Sequence, residues 1–313
     1  MHSYIPRRSV LYVPASSPKM LHKVPSLEAD CAVVELEDGV ALQSKADARQ
    51  QAAAFFSALS DERLKSFRCL DVALRLNSVD SGLIEEDFKV VSKATRLPRT
   101  VLLPKINSVE DLNTCWSLFK EYFCGHQSAS DCGFRLILYL ESATALLNAN
   151  RIVSSAVAMA PSIRATVDGL VFGSDDYCAS IGATRSTAGD ELLFARQRFV
   201  CVAKAFGLQA IDAVHIDLDD DDGLERSCVQ GRQWGFTGKQ AIHPKQLEAI
   251  HRCYSPSAAQ LQWARDLLAA YQATAASGQG AFVFRGQMVD RPLVRQASNI
   301  CDTANAAESH ARN

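Results

Sequence analysis

An apolar run, Leu170-Val171-Phe172, passes through Gly173-Ser174 and arrives at two adjacent aspartates, Asp175 and Asp176. A second run, "RLILYLES" (135–142), delivers Glu141. Carboxylates placed this way serve as a turn, as a helix cap or as ligands for a metal ion. A hard cation such as Mg2+ takes one or two carboxylates and fills its remaining octahedral positions with water and substrate. Glu141 and Asp176 are the candidate ligands, with Asp175 fixing the turn or supporting its neighbour. Other runs deliver Glu37 and Asp38, Arg75 and Asn77, Lys105, Asp217, and His243. Arg75 has the planar fork that holds an anionic oxygen through two parallel hydrogen bonds.

The elements that must position these residues are short apolar runs alternating with helical patterns. The runs are "RRSVLYVP" (7–14), "CAVVELED" (31–38), "DVALRLN" (71–77), "TVLLPKI" (100–106), "RLILYLES" (135–142), "GLVFGSDD" (169–176), "AIDAVHIDL" (210–218) and "GKQAIHP" (238–244). Most are near-continuous, as strands buried on both faces should be. Segments such as "SVEDLNTCWSLFKEYF" and "DELLFARQRFVCVAKAFG" between them carry apolar residues at helical spacing, the second with a stop at Gly207. This alternation predicts a parallel sheet closed into an α/β (β/α)8 TIM barrel over residues 1–250. A C-terminal helical extension over 251–296 and a polar, alanine-rich tail over 297–313, frayed or disordered, are expected beyond it. Active sites of such barrels lie at the C-terminal ends of the strands. A polar residue at one strand end is ordinary loop chemistry. Charged groups at nearly every end converge on one rim, where buried carboxylates need a cation or substrate to offset their desolvation.

Composition excludes several classes. The 313 residues are 48% hydrophobic and 22% charged, with a net charge of −2, the balance of a globular chain with a sizeable core. That charge gives no electrostatic basis for nucleic acid or an anionic membrane as partner. No apolar run reaches the ~18 residues of a membrane span. The opening "MHSYIPRRSV" lacks the regions of a secretory signal, so a targeting peptide is not expected within this chain. Ten cysteines without a CxxC pair read as free thiols, with Cys178 in a packing role. "DLDDDDG" (217–223) departs from a calcium loop at Asp222 and Cys228 and reads as a solvated turn capping a helix near Leu224, with Asp217 a rim candidate. "GQGAFVFRG" (278–286) lacks the third glycine of a dinucleotide loop. His243 reads as a structural residue bonded to backbone.

In order, "RRSVLYVP", "CAVVELEDGVA", "RLNSV", "LPKI", "LESATALLN", "FGSDDYCASIGA", "KAFGLQAIDAVHIDLDDDDGL", "GFTGKQAIHPKQL", "SPSAAQLQWARDLL" and "GAFVFRGQMVDRP" resemble the citrate lyase β-subunit-like family, within the HpcH/HpaI-type aldolases and malyl-CoA lyases. The resemblance runs from about residue 5 to 296. It implies a Mg2+-dependent barrel enzyme, commonly a homotrimer, that makes or breaks a carbon–carbon bond between an acyl-CoA and a 2-oxo acid. By that resemblance Glu141 and Asp176 stand at the metal ligands and Arg75 at the substrate-binding arginine. Tyr12, Lys19 and Lys23 stand where the family meets CoA, and Gln240 and Ala241 would face the ligand. Asp290 matches an acid/base residue on a C-terminal segment that reaches a neighbouring subunit's site; taken alone it reads as a turn residue before Pro292. The implied activity is cleavage of (S)-citramalyl-CoA to acetyl-CoA and pyruvate, with weak malate-synthase-like condensation in reverse, in the mitochondrial matrix. Malyl-CoA cleavage, thioester hydrolysis and a catalytically silent binding barrel are the alternatives. Two departures stand out. Relatives usually carry Glu-Asp where this chain has Asp175-Asp176, and mostly Thr where it has Ser142, which keeps the hydroxyl.

Overall fold

The computed structural model describes residues 5–129, 133–275 and 282–311. The chain divides into a compact unit over residues 7–251 and a second one that joins the residues before 7 to those from 252 onward.

In the first unit, β1 (Ser9–Pro14), β2 (Cys31–Glu35), β3 (Asp71–Arg75), β4 (Thr100–Leu103), β5 (Phe134–Leu140), β6 (Ala165–Phe172), β7 (Gln209–Asp212) and β8 (Gly238–Ala241) form a closed barrel. Each strand pairs in parallel with the next, and β8 returns to β1. Helices follow the strands: α1 (Lys45–Ser57), α2 (Ile84–Val91), α3 (Val109–Leu118), α4 (Ala143–Met159), α5 (Ser174–Ile181), α6 (Leu193–Ala205), α7 (Asp221–Gln233) and α8 (Leu247–Tyr254). The eight expected strands are present, and most end earlier than their apolar runs. β2 stops at Glu35, β4 at Leu103, β6 at Phe172 and β7 at Asp212, because ladder pairing ends where the chain turns toward the helix that follows. Asp176 therefore lies in the first turn of α5, not on a strand end.

Alternate side chains of each strand point into the barrel, and they sort into layers. Val10, Cys31, Val33, Ala73, Leu102, Ile137, Val171 and Ile211 form an apolar middle. Toward the N-terminal ends, the fully buried Arg7 donates to Asp71 at 2.8 Å and to Asp168 at 3.1 Å, and Arg135 reaches Asp168 at 2.7 Å. Toward the C-terminal ends, the same alternation continues to Tyr12, Glu35, Arg75, Tyr139 and Gln240. The opposite parity faces the helices, where Asp212 is paired with Arg196 of α6 at 2.6 Å and Lys239 bonds Ser227 of α7 at 2.9 Å. Closure between β8 and β1 demands glycine: a Cβ on Gly238 would lie 2.0 Å from the Arg7 carbonyl oxygen.

In the second unit, α9 (Ala258–Ala275) and α10 (Arg291–Ala311) pack with a hairpin of β9 (Phe282–Phe284) and β10 (Gln287–Val289). "FVFRG" is thus a hairpin whose Arg285 and Gly286 both take positive φ; residues 278–281 of the "GQGAFVFRG" stretch lie outside the described residues. The expected change of character at residue 297 is absent, because Leu293, Val294, Ala297, Ile300 and Cys301 share one apolar stripe against α9 and carry a single helix through. Residues 312 and 313 of that tail lie outside the described residues. Among the described residues no helix is long and apolar enough to cross a membrane.

Removing one partner of a buried ion pair leaves a charge without compensation. Arg7→Met is expected to cost about 3–5 kcal/mol of stability, read from urea denaturation. Adding Asp71→Leu to it should recover part of that loss.

Candidate active site

A cavity of about 640 Å3 opens at the C-terminal ends of the barrel strands, lined by Tyr12, Lys23, Glu35, Asp38, Arg75, Glu141, Gly173 through Asp176, Gln240 and His243 among others. Its floor is built on Arg75. β3 holds this guanidinium at 7% exposure, with Nη2 at 2.6 Å from Glu37 and Nη1 at 3.4 Å from Glu35. The cation also lies 4.5 Å from the Tyr139 ring centroid and 5.5 Å from that of Tyr12, a favourable placement over aromatic faces. The Tyr12 hydroxyl donates to Gln240 Oε1 at 2.7 Å, so Tyr139 is the donor in the 2.6 Å bond between the two tyrosines. Gln240 in turn donates to the carbonyls of Phe172 and Asp212. This chain of bonds ties β1, β5, β6, β7 and β8 to one cation. The Arg75 Nε and the Ser174 hydroxyl are buried and have no hydrogen-bond partner among the described residues.

Glu141 follows β5 and is 3% exposed. Its Oε1 accepts the Lys105 backbone N–H at 2.7 Å. Its Oε2 lies where a side chain at residue 173 would be: a Cβ on Gly173 would come within 2.1 Å of it. Glycine there is required by the carboxylate's position, since the Gly173 backbone is ordinarily extended. Burial is the main cause that pushes the Glu141 pKa up to about 8; Arg75 opposes the rise, and the charges of Asp176 and Glu37 add to it. Burial likewise raises Glu35 to about 7, against Arg75 and with Glu37. The first turn of α5 supplies Asp176, whose Oδ1 lies 3.5 Å from the Lys105 ammonium.

The donor set fits a hard divalent cation. Glu141 and Asp176 are oxygen donors on the wall of one cavity, and the charge of Asp176 raises the cost of charging Glu141. Among the described residues no three His, Cys, Asp or Glu side chains converge as a preformed cage. A cation that keeps water and substrate in its coordination shell takes one or two carboxylates from the protein.

Other expected site residues divide. Asn77 turns away from the cavity: it donates to Asp87 at 2.7 Å from its backbone and accepts from Lys45 at 2.6 Å. Asp217 is exposed on the loop after β7 and accepts the Asp219 N–H, outside the cavity lining. The charge at the end of β7 is the buried Asp212, which faces α6. His243 borders the cavity and accepts the Lys245 N–H, the structural role expected of it. Asp220, within the acidic run, caps α7 through Gly223 N–H. Asp175 pairs with Arg185 at 2.9 Å, and Cys178 is buried in packing. Lys23 reaches the lining, whereas Lys19 is exposed on the one-turn helix Pro18–Leu21 beyond it. The Ala241 side chain is fully buried on the helix-facing parity of β8 and does not line the cavity. In the second unit Asp290 accepts the Leu293 N–H at 3.1 Å, as the N-terminal cap of α10. Sequence reasoning missed Glu35 and Tyr139. Both carry a readable signal, because they continue the inward parity of Cys31–Val33 and of Ile137.

The family model of the HpcH/HpaI aldolase/citrate lyase matches residues 8–244. The chain belongs to this family. It is 41% identical to the mitochondrial citramalyl-CoA lyase of Mus musculus over 305 residues, 97% of this chain and 88% of that one. It is 29% identical to the citrate lyase subunit beta of Leuconostoc mesenteroides, over 96% of this chain and 94% of that one. Among solved structures, the protein CitE from Mycobacterium tuberculosis, in complex with magnesium, acetoacetate and coenzyme A, superposes with a TM-score of 0.73 at 28% identity. That match covers 96% of this chain and 98% of the other.

The buried carboxyls give the metal-free protein a pH signature. Glu141 binds its proton more tightly folded, at about 8, than at the ordinary 4.5 of the unfolded chain. Between those values the folded state holds more protons, so its contribution to stability is full at the acidic end and is lost as pH rises through about 8. Glu35 acts the same way up to about 7. In EDTA, stability is expected to fall between pH 5 and 8 by up to ~1.4 kcal/mol per pH unit for each group. Glu141→Gln should flatten part of that slope in urea titrations across the range. An unchanged slope would show that Glu141 does not carry the proton.

Proposed function

We propose that this protein is a Mg2+-dependent carbon–carbon lyase that cleaves (S)-citramalyl-CoA to acetyl-CoA and pyruvate. The observation that carries the reading is one cavity in which two carboxylates, Glu141 and Asp176, share a wall with Arg75 and Ser174, whose buried Nε and hydroxyl have no hydrogen-bond partner among the described residues. Such a site is built for a cation and an oxygen-rich anion together. The 41% identity with a mitochondrial citramalyl-CoA lyase supports the choice of substrate, and the magnesium and coenzyme A of the CitE complex support the choice of metal and carrier.

In this reading Glu141 and Asp176 would hold Mg2+, which when bound would supply Lewis acidity toward the oxygens of the citramalyl group. Arg75 stabilises oxyanion charge through its free Nε edge, fixed in advance by Glu35, Glu37 and the two tyrosines. A base removes the hydroxyl proton, the carbon–carbon bond breaks, and its electron pair passes to the thioester enolate. Asp290 returns a proton to the enolate carbon; in reverse it takes one from the acetyl-CoA methyl group, giving weak malate-synthase-like condensation. Lys23 and Lys19 suit the phosphates of CoA, with Tyr12 and Gln240 bordering the acyl end. We extend the proposal to a homotrimer in the mitochondrial matrix, with Asp290 serving a neighbouring copy's site.

The test is release of acetyl-CoA and pyruvate from (S)-citramalyl-CoA, with Mg2+ and with excess EDTA. Metal-dependent release is expected, and none from a folded protein in Mg2+ would overturn the assignment. Malyl-CoA cleavage or hydrolysis of the thioester in its place would move the activity within the family. Asp290→Asn is expected to lower kcat by about 10^2–10^4-fold, the usual contribution of a general acid or base, with a small change in KM.

A further inference from the structure

Lys105 lies two residues beyond β4, with its backbone in the left-handed region at φ 51°. A β-carbon disfavours that region, so the conformation persists because its surroundings hold it. Two contacts account for it. The Lys105 N–H points at Oε1 of Glu141, 2.7 Å away. Its ammonium lies 2.9 Å from Glu37, 3.2 Å from Asp38 and 3.5 Å from Asp176. One residue therefore grips both proposed metal ligands, Glu141 through a backbone dipole and Asp176 through a full charge.

We propose that Lys105 is a positioning residue of the metal site that aims Glu141 and, without metal, supplies the positive charge the carboxylates lack. The inference rests on the reading of Glu141 and Asp176 as metal ligands. The N–H fixes one oxygen of Glu141 and leaves the other beside Gly173. The ammonium relieves repulsion among three carboxylates, Glu37 and Asp38 in the loop after β2 and Asp176 in the first turn of α5. A divalent ion arriving at Asp176 meets that ammonium as a like charge. Lys105 thus stabilises the metal-free site and weakens its hold on the bare cation. Full affinity then waits for the substrate's own oxygens, so cation and substrate bind cooperatively. This division of labour is a consequence of one side chain sitting among Asp176, Glu37 and Asp38.

The test uses Lys105→Met, which keeps the β-carbon and removes the charge, and Lys105→Gly, which also frees the backbone. Mg2+ alone is titrated into each full-length protein by calorimetry without substrate, and melting temperature is read in EDTA. Both variants are expected to bind Mg2+ at least about tenfold more tightly, as loss of repulsion between a divalent and a monovalent cation a few ångströms apart requires even at the dielectric of water. Both should melt lower in EDTA, Lys105→Gly by less, because glycine takes positive φ at no steric cost. A merely structural lysine would lower stability with unchanged or weaker Mg2+ affinity, and that result in both variants overturns the proposal. Absence of Mg2+ binding by the unaltered chain would overturn the metal reading and this inference with it. Binding by the unaltered chain, matched by both variants, would overturn this inference alone.

Discussion

A guanidinium cannot leave water without counter-charges, and Arg75 has left it almost completely. The mouth of the barrel is arranged around that requirement. Glu35 and Glu37 supply charge, and the Tyr12 and Tyr139 rings supply polarizable faces. Gln240 fixes the tyrosines to carbonyls of two further strands. The arrangement overshoots in one direction: carboxyls outnumber the cations that reach them, and burial holds Glu35 and Glu141 partly protonated near neutrality. A cation entering such a site takes the place of a proton that burial favours, so its binding releases protons and strengthens as pH rises. Family membership and site electrostatics thus agree without either being derived from the other.

The rest of the barrel makes this concentration of charge tolerable. Its polar groups are confined to the two ends and separated by an apolar middle layer. At the closed end, Arg7, Asp71, Asp168 and Arg135 satisfy one another. At the open end, the same kinds of groups are left partly unsatisfied, with donors on Arg75 and Ser174 unclaimed. Two ends built from similar residues therefore differ in function through satisfaction alone. Complete pairing gives rigidity, and incomplete pairing in a cavity gives a binding site.

Much of this was legible beforehand. Near-continuous apolar runs of strand length, alternating with helical periodicity, leave few folds other than a parallel barrel, and the carboxylates and arginine of the rim were visible at the ends of those runs. Strand limits were less legible, because residues such as Gly173 through Asp176 continue an apolar run on paper while the ladder has already ended. Asn77 and Asp217 were misread for the same reason. A polar residue past a strand can turn to the cavity or to its neighbouring helix, and the choice rests on partners far away in sequence. Asn77 found Asp87 and Lys45. Glu35 was the reverse case, a carboxylate inside an apolar run, concealed by its neighbours and revealed only by counting parity from Cys31.

By itself the sequence determined the number and order of strands, the parity that sends Arg75 inward and the residue types available at the rim, since these follow from local periodicity and from chemistry carried by each side chain. Tertiary structure decided which of those residues meet. Lys105 reads as one more strand-end lysine until β4 is placed beside β5. Its backbone N–H then faces Glu141, and its ammonium reaches carboxylates that follow β2 and β6. Distances of that kind depend on barrel closure and register, which bring together groups separated by tens of residues, and no local pattern encodes them.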